Sequence, residues 1–169
     1  PYLRRTGPLA LIGLNSAVPT RPLVHSGRLG EAQLQALDRM LAALSSAGLF
    51  RVVMIHHPPL PGQTAPRRGL TDGDALAAVL AARGADLVLH GHNHVDSLVW
   101  HPAQGGAIPI VGVASGSAAE AIGQEPLARY NLFRFGSKAD GQPIEMVTRG
   151  LAAAGGAIIE VNRRHLAPD

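Results

Sequence analysis

Residues 50–59, FRVVMIHHPP, join a nearly continuous apolar run to two histidines and two prolines. β-branched and aromatic residues with almost no polar interruption are typical of a strand that is covered on both faces. Pro58 and Pro59 cannot donate a hydrogen bond to a neighbouring strand, so the strand must end before them. The stretch therefore predicts a central strand of a sheet, with His56 and His57 at its carboxyl end.

Residues 86–94, DLVLHGHNH, repeat this arrangement with a shorter apolar run that ends in Gly-His-Asn-His. Ligands of open α/β sheets bind beyond the carboxyl ends of the strands. If the two strands are neighbours in one sheet, His56, His92 and His94 come together at one edge. Imidazole is a good ligand for transition metals such as Zn, Fe and Ni. The pattern favours metal binding over three separate structural hydrogen bonds.

Two helices are predicted, one before each of these strands. Between residues 31 and 47, leucines recur at steps of three and four, and Gly48 is suited to end the helix. The second helix begins at Thr71 or Asp72, either of which suits a helix N-cap, and Gly84 closes it. Two helix–strand units in succession predict an α/β layer arrangement.

Strands make up the rest of the predicted structure. An apolar run at residues 8–14 predicts another buried strand, and no helical period is convincing after His94. The strands expected there span residues 95–100, 108–114, 129–135, 144–149 and 157–161. No internal repeat is recognisable, so we expect residues 1–169 to form a single domain.

The composition limits what the protein can do. Its 169 residues are 46% hydrophobic, include no cysteine and carry a formal net charge of +3. A disulfide framework, a Cys-ligated zinc site and a thiol nucleophile are therefore excluded. The basic residues are mostly arginines spread singly along the chain, so nucleic-acid binding is not expected despite an isoelectric point near 10.2. No apolar run reaches about 18 residues, so no membrane span is expected, and a cytoplasmic location is the working expectation.

His-His-Pro-Pro after one apolar strand and Gly-His-Asn-His after the next closely resemble the calcineurin-like metallophosphoesterases. The resemblance covers most of the chain and is sharpest over residues 27–95. It implies hydrolysis of a small phosphorylated substrate, a phosphomonoester or phosphodiester, at a centre of two divalent metal ions (Mn, Fe, Zn or Co). It also implies that the chain is the C-terminal portion of a four-layer α/β/β/α sandwich, an α/β fold of mixed sheets flanked by helices. Residues 13–16, Gly-Leu-Asn-Ser, resemble the phosphodiesterase branch of the family.

The resemblance assigns roles to particular side chains. His56 and His92 would bind the second metal ion, and His94 would bind the first. His57 matches no ligand position and would line the site or contact a ligand. Asn93, which tolerates the backbone of a tight turn, is a further candidate for contact with the substrate.

Two arginines are candidates for substrate binding. Arg67 and Arg68 follow His-His-Pro-Pro in the predicted loop, close to where a phosphate would bind. Guanidinium groups suit bidentate phosphate contacts. A solvated pair in the loop is the alternative interpretation, because arginines are mostly exposed.

Three other motifs of the family are missing from the sequence: Asp-x-His, Gly-Asp-x-x-Asn or Asp, and Gly-Asn-His-Asp or Glu. Gly73-Asp74 resembles the second motif superficially, but Ala77 stands where that motif has Asn or Asp. Two divalent cations about 3.5–4 Å apart repel each other and need a shared anionic ligand. Asp96 is the only acid next to the histidines, and we expect it to orient an imidazole ring rather than to bridge two metals.

The missing acids indicate that the chain, which begins at Pro1, is a fragment that supplies histidine ligands to a larger enzyme and is inactive alone. No catalytic residue is assigned within it. Two alternatives stay open. One is a noncatalytic binding module of the same fold, with an exposed apolar sheet edge or face and a homo-oligomeric state. The other is a hydrolase with His56, His92 and His94 on a single metal ion, which lacks an acid placed as general base.

Overall fold

The computed structural model describes residues 1–167, which form nine strands and two helices. The helices are α1 (Glu31–Ala43) and α2 (Gly73–Arg83). The strands are β1 (Tyr2–Thr6), β2 (Leu9–Gly13), β3 (Phe50–Met54), β4 (Leu87–His90), β5 (Ser97–Ala103), β6 (Gly106–Gly112), β7 (Arg129–Arg134), β8 (Ile144–Leu151) and β9 (Ile158–Leu166). Every predicted helix and strand is present, and β9 runs further than the sequence predicts.

Six strands form one mixed sheet in the order β1-β2-β3-β4-β6-β5. Strands β2, β3, β4 and β6 are parallel, and the edge strands β1 and β5 are antiparallel to their neighbours. β3 and β4 pair directly, with Val53 opposite Val88, and α2 provides the crossover connection that parallel strands require. The two histidine-tipped strands are therefore neighbours, and their carboxyl ends lie at the same edge of the sheet.

Both helices pack on one face of this sheet. Their inward side chains are fully buried: Leu37 and Leu41 of α1, and Leu76 and Leu80 of α2. They share a core with Ala10, Ile12, Val53, Val88 and Ile110 of the strands. Burying one leucine contributes about 1.5–3 kcal/mol, so the leucine spacing decides which side of each helix faces the sheet. Neither helix combines the length and the hydropathy needed to cross a membrane.

Asp72 joins the starts of the two helices. It precedes α2, as predicted, but its carboxylate makes no capping hydrogen bond to that helix. It accepts instead from the backbone N–H groups of Leu29 and Gly30, at 2.8–3.1 Å. The predicted start of α2 is confirmed, and Asp72 fixes the segment that leads into α1.

Strands β7, β8 and β9 form an antiparallel sheet whose core is shared with the other face of the mixed sheet. The contacts join Ile144, Met146 and Leu166 to Phe50, Val52, Leu87 and Val111. Residues 1–167 thus show three layers, with helices, mixed sheet and antiparallel sheet in that order, and the expected α/β class is confirmed. A fourth, helical layer is not found in this part of the chain, because every regular element after β4 is a strand.

β1 is the one described strand that the sequence pattern does not predict. All five of its residues are exposed, and it pairs with β2 across a turn at Gly7, whose φ is 52°. Edge strands are commonly short and charged, which discourages pairing with other chains. With Arg4 and Arg5 at its centre, β1 has no apolar run or alternating pattern that would reveal it.

Candidate metal site

His56 and His92 lie just beyond the carboxyl ends of β3 and β4. The N–H of Ile55 donates to the carbonyl of Leu89 at 3.0 Å, and the N–H of Gly91 donates to the carbonyl of His56 at 3.1 Å. These two backbone bonds extend the parallel pairing past the ends of the strands. Of the three histidines expected to come together at one sheet edge, His56 and His92 do so, and His94 lies outside their cluster.

Three imidazole rings cluster at this edge. One ring nitrogen from each of His56, His57 and His92 lies within 4.8 Å of the other two. The closest pair is Nε2 of His56 and Nδ1 of His92, 3.1 Å apart. Two nitrogens bound to one tetrahedral ion at about 2.0–2.1 Å would be about 3.3 Å apart. The spacing therefore suits a shared proton and, with little movement, a shared metal ion.

His92 is held in an uncommon conformation with one nitrogen unused. Its φ is 69°, in the left-handed region, and its carbonyl accepts from Nη2 of Arg68 at 3.1 Å. Nε2 is buried and has no hydrogen-bond partner among residues 1–167, a state that costs about 1–3 kcal/mol. Burial, together with the nearby charges of His57, His56 and Arg68, lowers the pKa of His92 to about 4. The ring is therefore neutral near pH 7 and carries a single ring lone pair, on Nδ1 or on Nε2 according to its tautomer.

His57 is a structural residue of the cluster. It is 5% exposed, and its Nε2 donates to the carbonyl of His25 at 3.0 Å. The hydroxyl of Ser16 donates to Nδ1 at 2.8 Å, because that nitrogen carries the remaining lone pair. Burial is the main cause of its lowered pKa. His57 cannot bind a metal without giving up one of these bonds, because both nitrogens of its ring are engaged.

His94 lies apart from the three clustered rings but on the wall of the same cavity. Its φ is 55°, and its Nδ1 contacts Oε2 of Glu125 at 3.1 Å. A carboxylate that accepts from one ring nitrogen fixes the tautomer, so the other ring nitrogen keeps its lone pair. This arrangement is common among metal-binding histidines. Glu125 follows His94 by 31 positions in a loop without a motif, so no sequence signal identifies it.

Of the residues predicted to contact the substrate, only some line the histidine cavity. Arg68 lines the histidine cavity, whereas Arg67 does not. The side chain of Asn93 donates to the carbonyl of Gln63 at 2.9 Å and so anchors the turn to the loop after β3. His25 is exposed and also lines the cavity.

The cavity has a volume of about 560 Å³, and none of its lining residues among residues 1–167 is acidic. Asp96, expected to orient a histidine ring, faces away from it. One of its carboxylate oxygens accepts from the N–H of Ala114 at 3.2 Å, and the other pairs with Arg129. Five histidines and Arg68 thus give the wall imidazole nitrogens and one permanent positive charge. Such a donor set suits one divalent cation or an oxyanion, and two adjacent cations would lack a bridging anion.

No protein-family model matches this chain, and no curated protein matches it significantly. Its function is therefore inferred from the residues and the geometry of the cavity.

Proposed function

We propose that the protein supplies histidine ligands to a metal-dependent phosphoesterase centre that hydrolyses small phosphomonoesters or phosphodiesters. The observation that carries this proposal is the 3.1 Å approach of His56 Nε2 and His92 Nδ1 beyond two adjacent parallel strands. Together with His94, these residues are the ones that the resemblance to calcineurin-like metallophosphoesterases assigns as ligands.

The residues present fit a single divalent ion. His56 and His92 would hold it, and the nitrogen of His94 that faces away from Glu125 would become a further ligand only after its turn moves toward the other rings, because His94 lies outside their cluster. When bound, a divalent ion polarises phosphoryl oxygens and lowers the pKa of bound water.

The other cavity residues would act on the substrate and on the ligands. Arg68 uses one nitrogen to fix the carbonyl of His92, and its remaining N–H groups can donate to phosphate oxygens. His57 holds the backbone of His25, another lining residue, through a partly buried hydrogen bond. Neither residue is placed to transfer a proton, so the catalytic acid stays unassigned.

A dinuclear centre needs at least one bridging carboxylate, which the cavity wall within residues 1–167 does not contain. We therefore propose that this carboxylate, with the fourth helical layer, comes from polypeptide outside these residues. By the same reasoning, the 169-residue chain alone hydrolyses bis-p-nitrophenyl phosphate poorly in the presence of Mn²⁺. Turnover at ordinary enzyme rates would show that these residues form a complete centre.

Metal binding tests the ligand assignment directly. Calorimetric titration of the chain with Zn²⁺, Co²⁺ or Mn²⁺ should show one weak site. His56→Ala and His92→Ala should each lower its affinity by more than about a hundredfold, because each removes a ligand. His165→Ala is the matched control, since His165 is exposed on β9, away from the cavity, and its loss should leave the affinity unchanged. Unchanged binding by His92→Ala would refute the assignment.

A noncatalytic interaction module is the second candidate function. The observation in its favour is the outer face of β7, on which Tyr130 is 42% and Leu132 47% exposed. This candidate predicts no metal binding and a concentration-dependent homo-oligomer, which light scattering after size exclusion would detect.

A further inference from the structure

A second cavity, of about 400 Å³, lies between the two sheets and shares no lining residue with the histidine cavity. One wall is the inner face of the antiparallel sheet, and the facing wall includes Ser97 and Leu98 of β5. A cavity of this size accommodates a small molecule together with a few waters.

The register of the antiparallel sheet places polar side chains on this wall. Asn131 lies opposite Thr148, and Thr148 lies opposite Asn162, so the three form one row across β7, β8 and β9. Two positions further along β7 and β8, the apolar Phe133 and Met146 belong to the core between the sheets. Layers between packed sheets are ordinarily filled by apolar side chains. An inward-facing polar row therefore calls for a polar partner.

The hydrogen bonds of this row leave donors unused. The hydroxyl of Thr148, a residue only 4% exposed, donates to Oδ1 of Asn131 at 2.7 Å. Both N–H groups of the Asn131 amide then have no partner among residues 1–167. Within the same range, the side chains of Asn162 and Arg164 also line the cavity without a hydrogen bond to the protein.

The cavity carries a net positive charge. Asp96 and Arg129 pair with each other across its mouth and cancel. Arg164 has no acidic partner in the described chain, whereas its outward-facing neighbour Arg163 pairs with two glutamates. One guanidinium without a counter-ion beside amide N–H groups is a donor set that binds oxyanions.

We propose that this cavity binds a small oxyanion, a phosphate or carboxylate group, through Arg164, Asn131 and Asn162. Arg164 supplies the charge, and the two asparagines supply N–H donors from the polar row. The site requires no metal ion and does not depend on the function of the histidine cavity.

The test is a titration of the ¹⁵N-labelled chain in EDTA at constant ionic strength, with inorganic phosphate in one arm and malonate in the other. The side-chain amide signals of Asn131 and Asn162 should shift saturably, with a millimolar or tighter dissociation constant. The arm with the tighter constant identifies the class of ligand. Because these signals report this cavity alone, anion binding among the histidines cannot imitate the result.

Variants make the assignment falsifiable. Arg164→Gln should weaken binding about tenfold or more, because it removes a charge-assisted contact. Asn131→Asp keeps the oxygen that accepts from Thr148 and should abolish binding by placing a negative charge in the row. Arg134→Gln is the control, since Arg134 lies on the outer face of the same sheet and loses the same charge. The absence of saturable shifts in both arms, or equal weakening by Arg134→Gln, would overturn the proposal.

Discussion

At the residue scale, the histidines of the cavity differ in what their ring nitrogens contact. His57 has both nitrogens hydrogen-bonded, His92 keeps a buried nitrogen without a partner in the described chain, and His94 has one nitrogen on Glu125. The contacts of His57 and His94 come from segments more than 30 positions away in sequence. Residue type alone makes all three histidines candidates for a metal site, and only their contacts in the fold show which ring nitrogens are already engaged.

Glu125 is predicted to position His94 for a metal ion. Glu125→Gln removes the charge that favours a proton on Nδ1 of His94, so it should lower the affinity of the chain for Zn²⁺ about tenfold or more. Calorimetry at pH 7 measures this loss. The His56–His92 spacing should be unaffected, because Glu125 contacts neither of these residues.

Glu120→Gln provides the control for this substitution. Glu120 is an exposed acid in the same loop region and makes no ion pair within residues 1–167, so its amide variant should bind Zn²⁺ like the wild type. Equal affinity of the Glu125→Gln variant and the wild type would mean that the His94–Glu125 contact is only a surface ion pair.

At the element scale, the sequence was informative wherever one period or one apolar run dominated. The leucines of α1 and the apolar runs of β3 and β4 predicted those elements closely, because burial on the mixed sheet decides their positions. The exposed strand β1 gave no such signal. The contacts between loops were also invisible, since Asp72 binds the segment before α1 through backbone groups that any residue offers.

The loop that contains Gly27 is predicted to depend on the absence of a side chain there. A Cβ at Gly27 would lie 2.4 Å from Nδ1 of His57 and 2.7 Å from the carbonyl of Ser16. Gly27→Ala should therefore displace His57 and lower the free energy of unfolding by about 1–3 kcal/mol, as overpacking does. Urea denaturation measures the loss. Gly69→Ala is the control, because its Cβ would meet nothing closer than 3.7 Å, and a loss as large as that of Gly27→Ala would contradict this explanation.

At the scale of the whole molecule, the mixed sheet carries helices on one face and the antiparallel sheet on the other. The α/β class followed from two helix–strand units, whereas the pairing of the later strands depends on registers that their sequences leave open. The net charge of +3 likewise says nothing about where charges lie. On β9, Arg163 joins an outward ion-pair network and Arg164 faces inward, because neighbouring residues of a strand point to opposite sides.

The outward network is predicted to make the stability of the antiparallel sheet sensitive to acid. Arg163 holds the pKa values of Glu145 and Glu160 below their ordinary value of 4.5, and Arg134 also lowers that of Glu145. A carboxylate whose pKa is lower in the folded than in the unfolded chain stabilises the fold at pH values above its unfolded-state pKa. This stabilisation is lost as the pH falls through the folded-state pKa. Glu145→Gln should therefore melt at a lower temperature than the wild type at pH 7, and the difference in melting temperature should shrink steadily below about pH 4.5.

Thermal melts between pH 7 and pH 3 measure this difference, with Glu120→Gln as a control that follows the wild type throughout. A gap between Glu145→Gln and wild type that stayed constant down to pH 3 would mean that Glu145 stabilises the sheet through packing and not through its charge.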